Sequence, residues 1–140
     1  MSTKPGVLFV CVKNGGKSQM AGGFMRHLAG ERVTVYTAGT KPGLSLNAQS
    51  VESLAELGID ISGEHTKAIT ADMLAEVGLI ITLGNEAVIE PVAGIEIRNW
   101  NTDEPSERGI EGMERMRLVR DDIQTRVQAL ATELTIKSDI

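Results

Sequence analysis

Val7-Leu8-Phe9-Val10-Cys11-Val12-Lys13-Asn14-Gly15-Gly16-Lys17-Ser18-Gln19-Met20 reads as a buried strand, a glycine-rich loop and the start of a helix in immediate succession. The apolar run Val7 to Val10 is bounded by Pro5-Gly6 and by the loop, the pattern of a central strand covered on both faces. Asn14-Gly15-Gly16 tolerates backbone conformations that most residues avoid, so successive N–H groups can turn toward one point. Ser18 is the expected N-cap, and Met20, Phe24, Met25 and Leu28 recur at helical spacing. The expected product is a nest of N–H donors at the positive end of a helix, a site for an oxyanion, with Cys11 at its rim.

Working outward, the 140-residue chain is 41% hydrophobic and 24% charged, with a formal net charge of −5. That length buries a real core without disulfides or metal, so residues 1–140 are read as a single domain. The acidic balance disfavours general nucleic-acid binding, which needs a broad basic surface, so any anion must be captured locally. No run approaches a membrane span, and Met1-Ser2-Thr3-Lys4 lacks the apolar core of a signal peptide; the expectation is a cytoplasmic protein with no membrane partner. The chain has one cysteine, which excludes an internal disulfide and a multi-cysteine zinc site, and its two histidines, His27 and His65, are far apart in sequence, so no metal is expected.

The first helix should span Ser18 to Ala29, with Gly30 as its C-cap and Val33 to Ala38 as a second strand. Asn47 is the expected cap of a helix carrying Val51, Leu54, Ala55 and Leu57 and closed by Gly58, followed by a short extended piece at Ile59-Asp60-Ile61. Thr70 to Glu76 reads as a short helix and Leu79 to Leu83 as another buried strand. Gly84 to Gly94 is a loop, Ile95 to Trp100 an alternating edge strand, and Asn101 to Ser106 a loop. Apolar residues from Ile110 to Leu134 mark one face of a long closing helix, with Glu111, Glu114, Arg115, Arg117, Arg120, Asp121 and Asp122 on a solvated face and a frayed tail at Lys137-Ser138-Asp139-Ile140. Strands separated by helices imply an α/β fold with parallel pairing. Ligands of such sheets bind beyond the carboxyl ends of the strands, where the Cys11, Gly84 and Asp103 loops can converge.

Two chemistries fit the loop. Cys11-x-x-x-x-Gly16-Lys17-Ser18 is one residue from the phosphate-cradling loop of NTPases, with Cys11 in place of the first glycine. The strand Leu79 to Leu83 ends without the acidic residue that would assist magnesium, which argues against that reading. The thiolate reading uses more of the residues. A cysteine at the positive end of a helix, near Lys17 and ringed by N–H donors, is a nucleophile at neutral pH, and the Ser18 hydroxyl can donate to its sulfur. The oxyanion-binding set is Val12, Lys13, Asn14, Gly15, Gly16, Lys17 and Ser18. Trp100 is expected to pack rather than touch substrate.

At these residues the chain resembles the low-molecular-weight protein tyrosine phosphatase fold and its arsenate reductase branch. The resemblance rests on Leu8-Phe9-Val10-Cys11-x-x-Asn14-x-x-x-Ser18-Gln19-Met20-Ala21, on Thr37-Ala38-Gly39-Thr40, on Leu57-Gly58-Ile59-Asp60, and on Arg120-Asp121-Asp122-Ile123-x-x-Arg126-Val127. It implies a three-layer sandwich around a four-stranded parallel sheet in the order 2-1-3-4. It also implies Cys11 as nucleophile, Lys17 and Ser18 as its helpers, and Asp103 as general acid if Asp103-Glu104-Pro105 matches the usual Asp-Pro pair with one residue added; Glu104 competes for that role. The Ser18-Gln19-Met20-Ala21 run looks like arsenate reductases, whereas phosphatases of this fold carry Ser-Pro there.

Two departures shape the expectation. Lys17 stands where the family has an arginine, and lysine lacks the planar fork, which should hurt phosphate monoester hydrolysis most. The loop after the third strand, Leu83 to Pro91, lacks the two cysteines through which thioredoxin-coupled members relay electrons. The implied function is arsenate reduction for arsenic detoxification with no bound cofactor and an external low-molecular-weight thiol as co-substrate: mycothiol, with a glutaredoxin-like mycoredoxin, in the single-cysteine relatives, and glutathione as an open alternative. A tyrosine phosphatase and a catalytically inactive oxyanion sensor are the competing readings.

Overall fold

The structure, a computed structural model, describes residues 4–138. Its order is β1 (Gly6–Cys11), α1 (Lys17–Ala29), β2 (Thr34–Gly39), α2 (Ala48–Ala55), α3 (Ala71–Glu76), β3 (Leu79–Leu83), β4 (Glu96–Trp100) and α4 (Gly112–Ser138), with single 3₁₀ turns at Gly30–Arg32 and Pro105–Arg108. The four strands form one sheet in the order β2-β1-β3-β4, and every pairing is parallel. This is the α/β sandwich implied by the resemblance, and β1 is central with partners on both sides.

Alternation along β1 divides the core. Val7 and Phe9 face a layer built from α1, α2 and α4, where they meet Met20, Phe24, Leu54, Ile123 and Val127. Leu8 and Val10 face the opposite layer, with Met73, Val77 and Ile80. Both faces are therefore covered, which is why the strand is a continuous apolar run rather than an alternating one. Burial of each large α1 side chain, Met20, Phe24 and Met25, contributes about 1.5–3 kcal/mol. The Phe9 and Trp100 rings lie 5.8 Å apart, tilted by 45°, so Trp100 packs on the core as expected.

Some elements depart from the sequence reading. α2 is capped by Asn47, whose side chain accepts from Ser50 N, but it stops at Ala55, and the chain turns through Gly58 at φ 79°. Ile59 to Ile61 is not a strand; Ile59 and Ile61 are buried as apolar anchors of an irregular segment, and their extended look is burial without a ladder. α4 continues through Lys137 and Ser138; Asp139 and Ile140, like Met1, Ser2 and Thr3, lie outside the described residues. No helix among the described residues is long and apolar enough to cross a membrane.

The charged side of α4 is not a solvated face throughout. Arg120 is 8% exposed and donates to Ser53 O at 3.0 Å and to Glu56 at 2.8 Å. Arg117 grips the same carboxylate at 2.7 Å. Alternating sequence charges cannot reveal a partner that sits on another helix. Glu56, just past the end of α2, thereby bridges to α4, and its pKa falls from 4.5 to about 2, chiefly through the Arg117 hydrogen bonds and then those of Arg120. A carboxyl group whose folded value lies below its unfolded value adds stability above the unfolded value and loses it as pH falls toward the folded one. Thermal melts of Glu56→Gln should therefore lie below those of the parent by a constant margin above pH ~5, and the gap should close between pH ~4.5 and ~2.

Candidate active site

β1 delivers Cys11 at its last position and α1 begins at Lys17, so residues 12–16 are the turn between a central strand and a helix N-terminus. The carbonyls of this turn are tied to the scaffold. Cys11 O and Val12 O accept from Thr40 N and Lys41 N at 3.1 and 2.8 Å, Lys13 O from Gly43 N at 2.9 Å and Gly15 O from Asn47 N at 2.7 Å. Asn14 O accepts from the Gln19 side chain at 3.0 Å, and Gly16 O from Met20 N at 2.9 Å. No acceptor among the described residues takes the N–H groups of Lys13 to Gly16. A turn whose carbonyls are spent while its N–H groups are not is a cradle for an anion.

Asn14 turns the loop at φ 55°, and its fully buried side chain holds it there. Its Oδ1 accepts from Lys67 N at 3.1 Å, so its Nδ2 points to Ser18 Oγ, to which it donates at 2.7 Å. Ser18 Oγ, already accepting from Asn14, has its own hydrogen free for Cys11 Sγ at 3.0 Å. The result is a polarised chain, Lys67 N–H to Asn14 to Ser18 to sulfur, that ends with a hydroxyl donor on Cys11 Sγ. Ser18 is therefore not the helix cap: Gly16 occupies that position, without a side-chain cap bond, because the Ser18 hydroxyl is drawn to the sulfur. Ser18→Ala should slow alkylation of Cys11 at neutral pH by about tenfold, the loss of one charge-assisted bond of about 1.5 kcal/mol, with the thermal midpoint shifted by only a few degrees.

Cys11 opens on a hollow of about 430 Å³ whose lining includes Val12, Lys17, Gly84, Asn85, Glu86 and Glu104. The loops after β1, β3 and β4 do meet there. Gly84 turns the chain there at φ 86°, a conformation that favours glycine, and its backbone lies beside the Lys17 ammonium. The carboxylate that enters is Glu104, which forms an ion pair with Lys17; Arg115 Nη2 stands 3.8 Å from its other oxygen. Asp103, favoured over Glu104 from the sequence, is not part of this lining. It is turned to Arg108, which holds it at 2.8 and 3.2 Å and, as the main cause, keeps its carboxyl below the usual range. Pro105 starts the 3₁₀ turn, and the residue just before it lines the hollow.

The segment His65 to Ala68 carries no periodic signal, yet it supports the loop. Gly39 N donates to Lys67 O at 2.8 Å, and the buried Gln19 side chain links Asn14 O to His65 O. Burial is the main cause that lowers the Lys67 ammonium pKa below its ordinary value, and its Nζ reaches Thr37 Oγ1 at 3.2 Å. Gly39 is required by proximity, since a Cβ there would lie 2.6 Å from Val12 O.

A profile of the low molecular weight phosphotyrosine protein phosphatases matches residues 6–139. The chain belongs to that family. A putative arsenate reductase of Halobacterium salinarum is 33% identical over 130 residues, 89% of each chain. Among solved structures, a thioredoxin-dependent arsenate reductase of Corynebacterium glutamicum superposes with a TM-score of 0.80 at 29% identity over 95% of this chain, which spans only 63% of that longer protein. An arsenate reductase in its phosphate-binding state gives a TM-score of 0.77 at 26% identity, covering 93% of this chain and 98% of the other. In this chain position 17 is a lysine, and the loop from Leu83 to Pro91 is free of cysteine.

Proposed function

We propose that this chain is an arsenate reductase that works as an arsenate–thiol transferase. The observation that carries the reading is the hydrogen-bonded chain ending on Cys11 beside a turn with free N–H groups, in a protein with no second cysteine to complete an internal disulfide. Arsenate sits in the turn from Val12 to Ser18 with Lys17 against its charge. The Cys11 thiolate attacks arsenic, an As–S bond forms, and one arsenic-bound oxygen leaves as water after taking a proton from Glu104.

An external thiol then attacks the arsenic, its sulfur bonding to As(V) as the Cys11–As bond breaks and Cys11 keeps the electron pair. Reduction follows off the enzyme. A second thiol attacks the sulfur of the adduct, a disulfide forms, and its two electrons pass to arsenic, which departs as arsenite. We assign mycothiol as the first thiol and a mycoredoxin as the second, with glutathione as the system to set beside them; arsenic detoxification is the purpose. Lysine at position 17 fits this division of labour, since a point charge suffices to hold an oxyanion but serves ester cleavage poorly.

The experiment is arsenate consumption with mycothiol or glutathione measured beside phosphate release from an aryl phosphate without thiol. Thiol-dependent consumption with weak ester hydrolysis is expected. Efficient thiol-free hydrolysis would replace the proposal by a phosphatase, and anion binding with no turnover under any thiol would replace it by a sensor.

A further inference from the structure

Two hollows meet at Lys17. The one beside Cys11 carries three carboxylate residues in its lining, Glu86, Glu104 and Glu107. The other, about 720 Å³, lies on the far side of the loop, between residues 43–48 and the first turns of α4. Its lining holds three cations, Lys13, Lys17 and Arg115, and no acidic residue, a local inversion in a chain of net charge −5. Met20, Met116 and Val119 give it an apolar floor. Its outer wall is the segment Gly43 to Ala48, where Leu44 is fully exposed. Gly15 keeps this wall close, since an added Cβ would lie 3.1 Å from Ser45 O. Hollows of about 300–1,000 Å³ hold small organic ligands.

We infer that this second groove seats the body of the thiol co-substrate, an oxygen-rich small molecule whose sulfur reaches past Lys17 to the arsenic on Cys11. The inference rests on the transferase reading. With one cysteine in the chain, a thiol has to approach from outside, and the two hollows offer it opposite receptions. The hollow beside Cys11 is taken up by the arsenate, and its three carboxylates repel a further acidic group. The cationic one presents the Lys13 ammonium, which has no ion-pair partner among the described residues, over an apolar floor, beside Lys17 and Arg115, which share Glu104 between them. Sugar hydroxyls, as in mycothiol, and peptide carboxylates, as in glutathione, share this acceptor chemistry.

Two variants of the groove wall test this without touching the reacting groups. Ala48→Trp fills the groove from the start of α2, and Ser45→Glu adds a carboxylate at an exposed position of the outer wall, where misfolding is not a concern. The KM for mycothiol or glutathione should rise at least tenfold, while turnover with dithiothreitol, which has no body to seat, stays within twofold of the parent. A rise for mycothiol alone supports a polyol occupant; a rise for glutathione alone supports a carboxylate one. Unchanged KM values in both variants, or parallel losses with all three thiols, overturn the groove assignment while leaving the transferase reading standing. No thiol-dependent arsenate consumption by the parent overturns the transferase reading and the groove's role with it.

Discussion

Cys11→Ser should abolish arsenate consumption under every thiol, a fall on the order of 10⁴-fold or more, while oxyanion binding survives. A serine hydroxyl at neutral pH is not an anion, and the chain of donors that ends at position 11 supports negative charge on a sulfur; it supplies no base to take a proton from an oxygen. The substitution removes one sulfur from a cradle otherwise built of main chain, so the carbonyl ties of residues 11–16 to Thr40, Lys41, Gly43 and Asn47 remain. Phosphate binding by calorimetry, run beside the rate assay, separates the two effects. Measurable turnover in the variant would remove the nucleophile from the mechanism.

The second large effect is expected at the pair Asp103 and Glu104. Glu104→Gln should lower the rate by about 10²–10³-fold, the usual contribution of a positioned proton donor, whereas Asp103→Asn should stay within about threefold. Glu104 faces Lys17 at the hollow, and Asp103 spends its carboxylate on Arg108. A side-chain amide at position 104 still accepts from Lys17 but cannot give up a proton to a departing oxygen. The comparison is best read from the pH dependence of kcat/KM, where the parent's limb for the acid should vanish in Glu104→Gln and persist in Asp103→Asn. The reverse pattern would return the role to Asp103.

The fold was legible because its signals are local. An apolar run followed by Asn14-Gly15-Gly16 can do little else than end a buried strand in a tight turn, and Asn47 and Thr70 cap the helices that follow them. What escaped the sequence was pairing across distance. The Lys67 main chain reaches Asn14 over a separation of 53 residues, and Arg120 reaches Glu56 over 64; no spacing rule reports such contacts. Ser18 looks like a cap for a related reason. Hydroxyl residues near a helix start usually serve the backbone; the contact to the Cys11 sulfur was legible from the sequence beside the cap reading, and the structure shows that the contact is made and the cap is not. That Glu104 lines the hollow and Asp103 does not depends on the direction of a turn opened by Pro105, which two adjacent acids cannot disclose by themselves.

Asn14 holds the loop in shape with its own buried side chain and needs no visitor to do so. A receptor that is rigid before its guest arrives spends little entropy on binding, but it can sort guests only by form and charge. Phosphate and arsenate are both tetrahedral dianions, so the cradle alone gives little discrimination between them, and phosphate in a cell is a standing competitor. On the proposed mechanism, selectivity arises after capture, at the sulfur, where arsenic accepts a thiolate and sheds an oxygen far more readily than phosphorus does. Fidelity, on that mechanism, is a matter of reaction rates and not of affinity.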